Sequence, residues 1–124
     1  MKDESSDTSI YEIKKSELNT PIIFAGFVGA GLVGPLSVGH IIDKLGMEEI
    51  GYLRSKHLPP STVFMQGRLR HPFRLYSNHD GTVCVIICEI TLRLEGLHDI
   101  VSTILDWAEK KGSHEIVILD GVAS

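Results

Sequence analysis

The stretch Pro21-Ile22-Ile23-Phe24-Ala25-Gly26-Phe27-Val28-Gly29-Ala30-Gly31-Leu32-Val33-Gly34-Pro35 decides the fold class. Residues 22–25 form an unbroken apolar run, the pattern of a strand buried on both faces. A glycine-rich segment follows. Pro35 then suits the first turn of a helix, where its missing N–H would have had no partner. Leu36, Ile41, Ile42 and Leu45 supply an apolar face for that helix, and Gly46 supplies its stop. The order strand, glycine loop, helix is the opening unit of an α/β sheet.

Working outward, residues 1–9 are polar and acidic and read as a flexible arm, and residues 10–13 as a short edge strand. Downstream, residues 50–54 form the next strand, and Leu58-Pro59-Pro60 a rigid extended connection. Short strands follow at 63–65, 69–70 and 73–76, then a tight turn at Asn78-His79-Asp80-Gly81. Residues 83–88 are apolar throughout and read as a central strand. Leu97, Ile100, Val101, Ile104, Leu105 and Ala108 recur at helical spacing, with Trp107 flanking the stripe and Gly112 ending it. Residues 116–119 form a last buried strand. This alternation predicts an α/β fold with a mixed, mainly parallel sheet, in one domain spanning residues 10–124.

The chain of 124 residues is 43% hydrophobic and 23% charged, which excludes a disordered chain, a collagen and a disulfide-rich miniprotein. A net charge of −4 argues against a general nucleic-acid binder, since neutralising phosphates needs an excess of Lys and Arg. The acidic N-terminus is not a signal peptide. Residues 18–42 lack Asp, Glu, Lys and Arg over a length able to span a bilayer, but their many glycines and two prolines fit a strand, loop and helix better. Cys84 and Cys88 share a strand face about 13 Å apart, too far for a disulfide, and read as small buried hydrophobes of a reduced, cytoplasmic protein. No metal site is expected from them.

Gly29-Ala30-Gly31-Leu32-Val33-Gly34 matches G-x-G-x-x-G between a strand and a helix, the context of a dinucleotide fingerprint. Glycines let backbone approach a ligand, and a helix N-terminus offers N–H groups to an anion. The next strand ends in Arg54-Ser55-Lys56 rather than in a ribose-binding acid, which leaves room for the 2′-phosphate of NADP. The same glycines serve equally for close packing at a helix start or a subunit contact. Between Glu49 and Asp80 there is no acid, while Arg54, Lys56, Arg68, Arg70 and Arg74 fall there, an interval suited to an anion or an acidic partner. Glu89 and Asp120 follow the two most apolar strands, where open α/β sheets gather functional groups, and are weak acid/base candidates against a solvated or helix-capping role. No serine or cysteine lies in a nucleophile motif, and no catalytic set is identified.

Four stretches together resemble the proteasome assembly chaperone 2 family, especially its archaeal members. They are Gly26 through Gly34 with Pro35 to Gly46; Leu58-Pro59-Pro60 with Val63-Phe64; Gly67-Arg68-Leu69-Arg70 with Pro72 and Arg74-Leu75-Tyr76; and Ile104-Leu105-Asp106-Trp107-Ala108 with Gly112 and residues 116–119. The resemblance runs from about Pro21 to the last residue. It implies a three-layer α/β/α fold related to nucleoside phosphorylases, with no established catalytic triad to carry over. It also implies a non-enzymatic, cofactor-free homo-oligomer that binds 20S proteasome α subunits. Sequence-based labels have linked such proteins to ATP-grasp ligases, but no nucleotide-binding set is present here to support that. Contact candidates are Gly26, Phe27, Val28, Gly29, Gly31, Leu32 and Gly34 around the glycine loop, with Arg54, Arg68, Arg70 and Arg74 in the basic interval. The alternative function is a small-molecule or nucleotide-phosphate site, NADP-like or nucleoside-phosphorylase-like, on the 29–34 loop. Family members run longer, so residues 10–124 are expected to be the N-terminal part of a longer family domain. The end Ala123-Ser124 also differs from the hydrophobic-tyrosine-any tail by which some archaeal members dock on proteasome α rings.

Overall fold

A computed structural model describes residues 8–13, 17–27, 33–58, 63–65, 68–90, 92 and 94–119. The elements are β1 (Thr8–Glu12), β2 (Ile22–Gly26), α1 (Val33–Leu45), β3 (Glu48–Ser55), β4 (Val63–Met65), β5 (Arg68–Arg70), β6 (Phe73–Ser77), β7 (Val83–Cys88), α2 (Leu94–Lys110) and β8 (Glu115–Leu119). Six strands form one sheet in the order β1-β3-β6-β7-β2-β8, and β4 and β5 form a separate hairpin. The protein is α/β with a mixed sheet, as the alternation predicts.

The sheet is not mainly parallel. β2 pairs parallel to β7 and to β8, but β1–β3, β3–β6 and β6–β7 are antiparallel. The reason is connection length. The turn between β6 and β7 is only a few residues long, and a parallel partner needs a crossover of a dozen or more. Asn78 locks that turn: its Oδ1 accepts from the Thr82 and Val83 amides at 3.0 Å each, and Gly81 takes φ 71°. Both parallel pairs involve β2, and α2 carries the chain from β7 across β2 to β8 on its far side.

Strand alternation divides the core in two. Ile23, Ala25, Phe73, Leu75, Cys84, Ile86 and Cys88 pack on one face against Ile100, Ile104, Trp107 and Ala108 of α2. Phe24, Tyr76, Val85 and Ile87 pack on the other against Val38, Ile41 and Ile42 of α1. The helices thus lie on opposite faces. The inner face of α1 differs from expectation: Val38 is fully buried, while Leu36 and Leu45 are exposed. On α2, Trp107 is core rather than flank, and Leu97, Val101 and Leu105 turn outward with Leu94. β1 begins at Thr8, inside the expected arm, because Thr8 is buried and its hydroxyl bonds Ser55 at 2.7 Å and Asp99 of α2. Among the described residues, no helix is long and apolar enough to cross a membrane.

Candidate functional site

The pairing register lays one row of residues across the sheet: Leu119, Gly26, Ile87, Arg74, Tyr52 and Tyr11. Paired residues project to the same side, and here it is the side of α1. The row runs along the carboxyl ends of the parallel strands, where open α/β sheets place their sites.

One end of the row explains two glycines. A Cβ on Gly26 would lie 2.7 Å from Val38 Cγ2 and from the carbonyl carbon of Gly34. A Cβ on Gly34 would lie 2.6 Å from the carbonyl oxygens of Leu119 and Phe27. The first turn of α1 therefore rests directly on the backbone of β2 and β8. Phe27 leaves the strand and meets Phe73 edge-on, with ring centroids 6.0 Å apart. Val28, Gly29, Gly31, Leu32 and Asp120 lie outside the described residues.

At the centre of the row sits Arg74, fully buried. Its Nε donates to the Tyr76 hydroxyl at 2.9 Å, and its Nη1 donates to the His71 carbonyl at 2.7 Å. The same nitrogen lies 2.5 Å from Glu89 Oε1, a charge contact without the alignment of a hydrogen bond. Burial pulls the guanidinium pKa down, but Tyr76 and Glu89 more than reverse this, so it stands above its ordinary value. This corrects two expectations. Arg74 is not a surface contact, because its donors are engaged inside the fold. Glu89 is a half-buried partner rather than a solvated loop carboxylate, because it is the counter-charge that makes burial of Arg74 tolerable.

The other end of the row is aromatic and basic. Tyr11 stacks on Tyr52 at 5.5 Å, and Tyr52 stacks on His71 at 3.8 Å with rings 2° from parallel. Arg54 is exposed on the Tyr52 side of β3, and Arg70 pairs with Glu49 at 2.9 Å. Arg68 begins β5. The structure therefore collects Gly26, Phe27, Gly34, Arg74 and Glu89 at the strand ends, with Arg54 and Arg70 beside the aromatic stack. Sequence reading missed Tyr11, Tyr52 and Tyr76, since single tyrosines on separate strands carry no signal until the register is known.

A second polar cluster lies on the α2 face. Ser55, His57 and Asp99 meet there, with His57 Nε2 3.5 Å from Asp99 Oδ2. In a hydrolytic relay the imidazole stands between carboxylate and hydroxyl. Here Ser55 Oγ instead bonds Thr8 at 2.7 Å and accepts from the His57 amide at 3.1 Å, so the cluster clamps β1 and β3 to α2. Among the described residues, no group of three His, Cys, Asp or Glu side chains is placed to hold a metal ion.

An uncharacterized protein of Methanocaldococcus jannaschii is 27% identical over 111 residues, 90% of this chain and 46% of that protein. A protein of unknown function from Thermoplasma acidophilum superposes with TM-score 0.79 at 37% identity, over 86% of this chain and 46% of that one. PbaA of Pyrococcus furiosus, an archaeal homolog of proteasome-assembly chaperone, superposes with TM-score 0.80 at 25% identity, over 94% of this chain and 49% of its own. The chain thus spans about half the length of these relatives. The profile of the PAC2 family matches residues 23–124, from β2 through the last strand, and the chain belongs to the PAC2 family.

Proposed function

We propose that this chain acts as a non-enzymatic assembly chaperone for proteasome α subunits, working in the cytoplasm as a homo-oligomer without a cofactor. The observation that carries this is the PAC2 match together with the likeness to PbaA over nearly the whole chain. The contact surface is read as the start of α1 with Phe27 and the 28–32 loop, flanked by Arg54, Arg68 and Arg70. Self-association is supported by the apolar outer stripe of α2, where Leu94, Leu97, Val101 and Leu105 are exposed. The helices on opposite faces support a three-layer, phosphorylase/hydrolase-like arrangement. The nucleotide-phosphate alternative has less behind it, because Gly34, the last glycine of its motif, is accounted for by backbone packing.

The test is co-purification of the chain with archaeal proteasome α subunits, mixed before ring formation and followed by native mass measurement. A complex containing both proteins is expected at micromolar concentrations. Absence of any complex under those conditions overturns the assignment.

A further inference from the structure

Between β1 and the C-terminal half of α2 runs a groove of about 680 Å³ that the proposed chaperone surface does not use. Ile10 and Glu12 line it from the strand, Asp106, Trp107 and Glu109 from the helix, and Lys111 from just past its end. Two features at this edge are unsatisfied. The indole Nε1–H of Trp107, a side chain 92% buried by its 8% exposure, has no hydrogen-bond acceptor among the described residues. A buried donor without an acceptor costs about 1–3 kcal/mol, so its presence beside a groove points to an acceptor that arrives with a ligand. Next, β1 is the terminal strand of its sheet, and no described strand pairs with its outer side.

We propose that the β1 edge and this groove bind an extended peptide segment of another protein by strand addition. A peptide backbone supplies the ladder that β1 lacks, and every second side chain points into the groove. An apolar side chain rests on Ile10 and the Trp107 ring, while a carbonyl or carboxamide oxygen accepts from the indole N–H. Asp106 and Glu109 are neighbours on the helix surface and outnumber Lys110 beside them, and neither acid carries an ion pair among the described residues. They select a basic residue at one end of the segment. Lys111 is already held by Glu12 at 2.9 Å and lies 5.9 Å from the Trp107 ring centroid, so it closes the groove floor rather than recruiting an acid.

The chain has a single tryptophan, so emission from Trp107 reports on this site alone. A random peptide library displayed on phage is panned against the whole chain, and the enriched peptides are synthesised. Expected are sequences alternating apolar residues with a Lys or Arg at one end, and a saturable shift of Trp107 emission. Methylating alternate backbone amides of the peptide should abolish the shift, because it blocks the ladder and leaves the side chains. The exposed double change Asp106→Lys with Glu109→Lys should weaken basic peptides about three- to tenfold. No enrichment, equal binding of the methylated peptides, or binding that leaves Trp107 emission unchanged overturns the proposal. None of these readouts involves a proteasome subunit, so this inference and the chaperone assignment fail separately.

Discussion

Arg74 shows what one residue can hide. On β6 it sits where a charged side chain in a strand is ordinarily read as solvated, and its spacing from Arg68 and Arg70 reinforces that reading. Its partners Tyr76 and Glu89 are fixed only when β6 and β7 pair, so its burial is legible in the fold and not in the sequence. Arg74→Met should destabilise the protein by about 3–5 kcal/mol, because it strands the Glu89 charge. Adding Glu89→Gln should recover part of the loss, and urea midpoints of the single and double variants measure this. Equal loss in both would mean that the ion pair is not what holds the arginine.

The cysteines make a pH prediction at the same scale. Burial is the main force that pushes the thiols of Cys84 and Cys88 up to about 11 from 9.0. The folded state therefore holds these protons more tightly than the unfolded state does. Their contribution is intact below pH 9 and is lost as pH rises from about 9 to 11, by about 2–3 kcal/mol per thiol. Urea midpoints measured across that range should fall, and Cys84→Val should flatten the fall. The expectation of small buried hydrophobes was legible because every residue from Val83 to Cys88 is apolar.

At the scale of elements, α1 separates two kinds of glycine. Gly26→Ala or Gly34→Ala forces a methyl group into backbone atoms that cannot move aside, and each should cost upwards of about 1–3 kcal/mol. Gly39 lies within the helix with nothing within 4 Å of its absent Cβ, so Gly39→Ala should stabilise by about 0.5–1 kcal/mol. Thermal midpoints of the three variants should move in these opposite directions. The extent of α1 was legible from Pro35 and Gly46, but its inner face was not. Leu36, Val38, Ile41, Ile42 and Leu45 ring the helix too evenly for periodicity to choose, and the sheet chose Val38. On α2 the choice turned on Trp107, whose bulk fills the inner face while Val101 and Leu105 remain outside.

At the scale of the whole molecule, the proposed self-association is tested on the exposed stripe of α2. Leu97→Lys with Leu105→Lys adds charge to positions already facing solvent, so the fold should survive. Light scattering behind size exclusion should then show a smaller species than the parent chain. An unchanged mass would move the self-contact elsewhere. The class of the fold was legible in the alternation of strands and helices. The balance of parallel and antiparallel pairs was not, because it rests on which strands become neighbours in β1-β3-β6-β7-β2-β8.

That strand order also fixes a sequence of events. β2 lies between β7 and β8, whose residues 83–88 and 115–119 come far later in the chain. During synthesis, β2 leaves the ribosome with neither neighbour made, while β6 and β7 can close on each other across a short turn as soon as both emerge. The apolar run that opens the family signature thus waits for β7, the longest wait of any strand in the sheet, and is exposed to other chains meanwhile. Pulsed hydrogen exchange during refolding should protect Leu75 and Ile86 before Ile23 and Phe24.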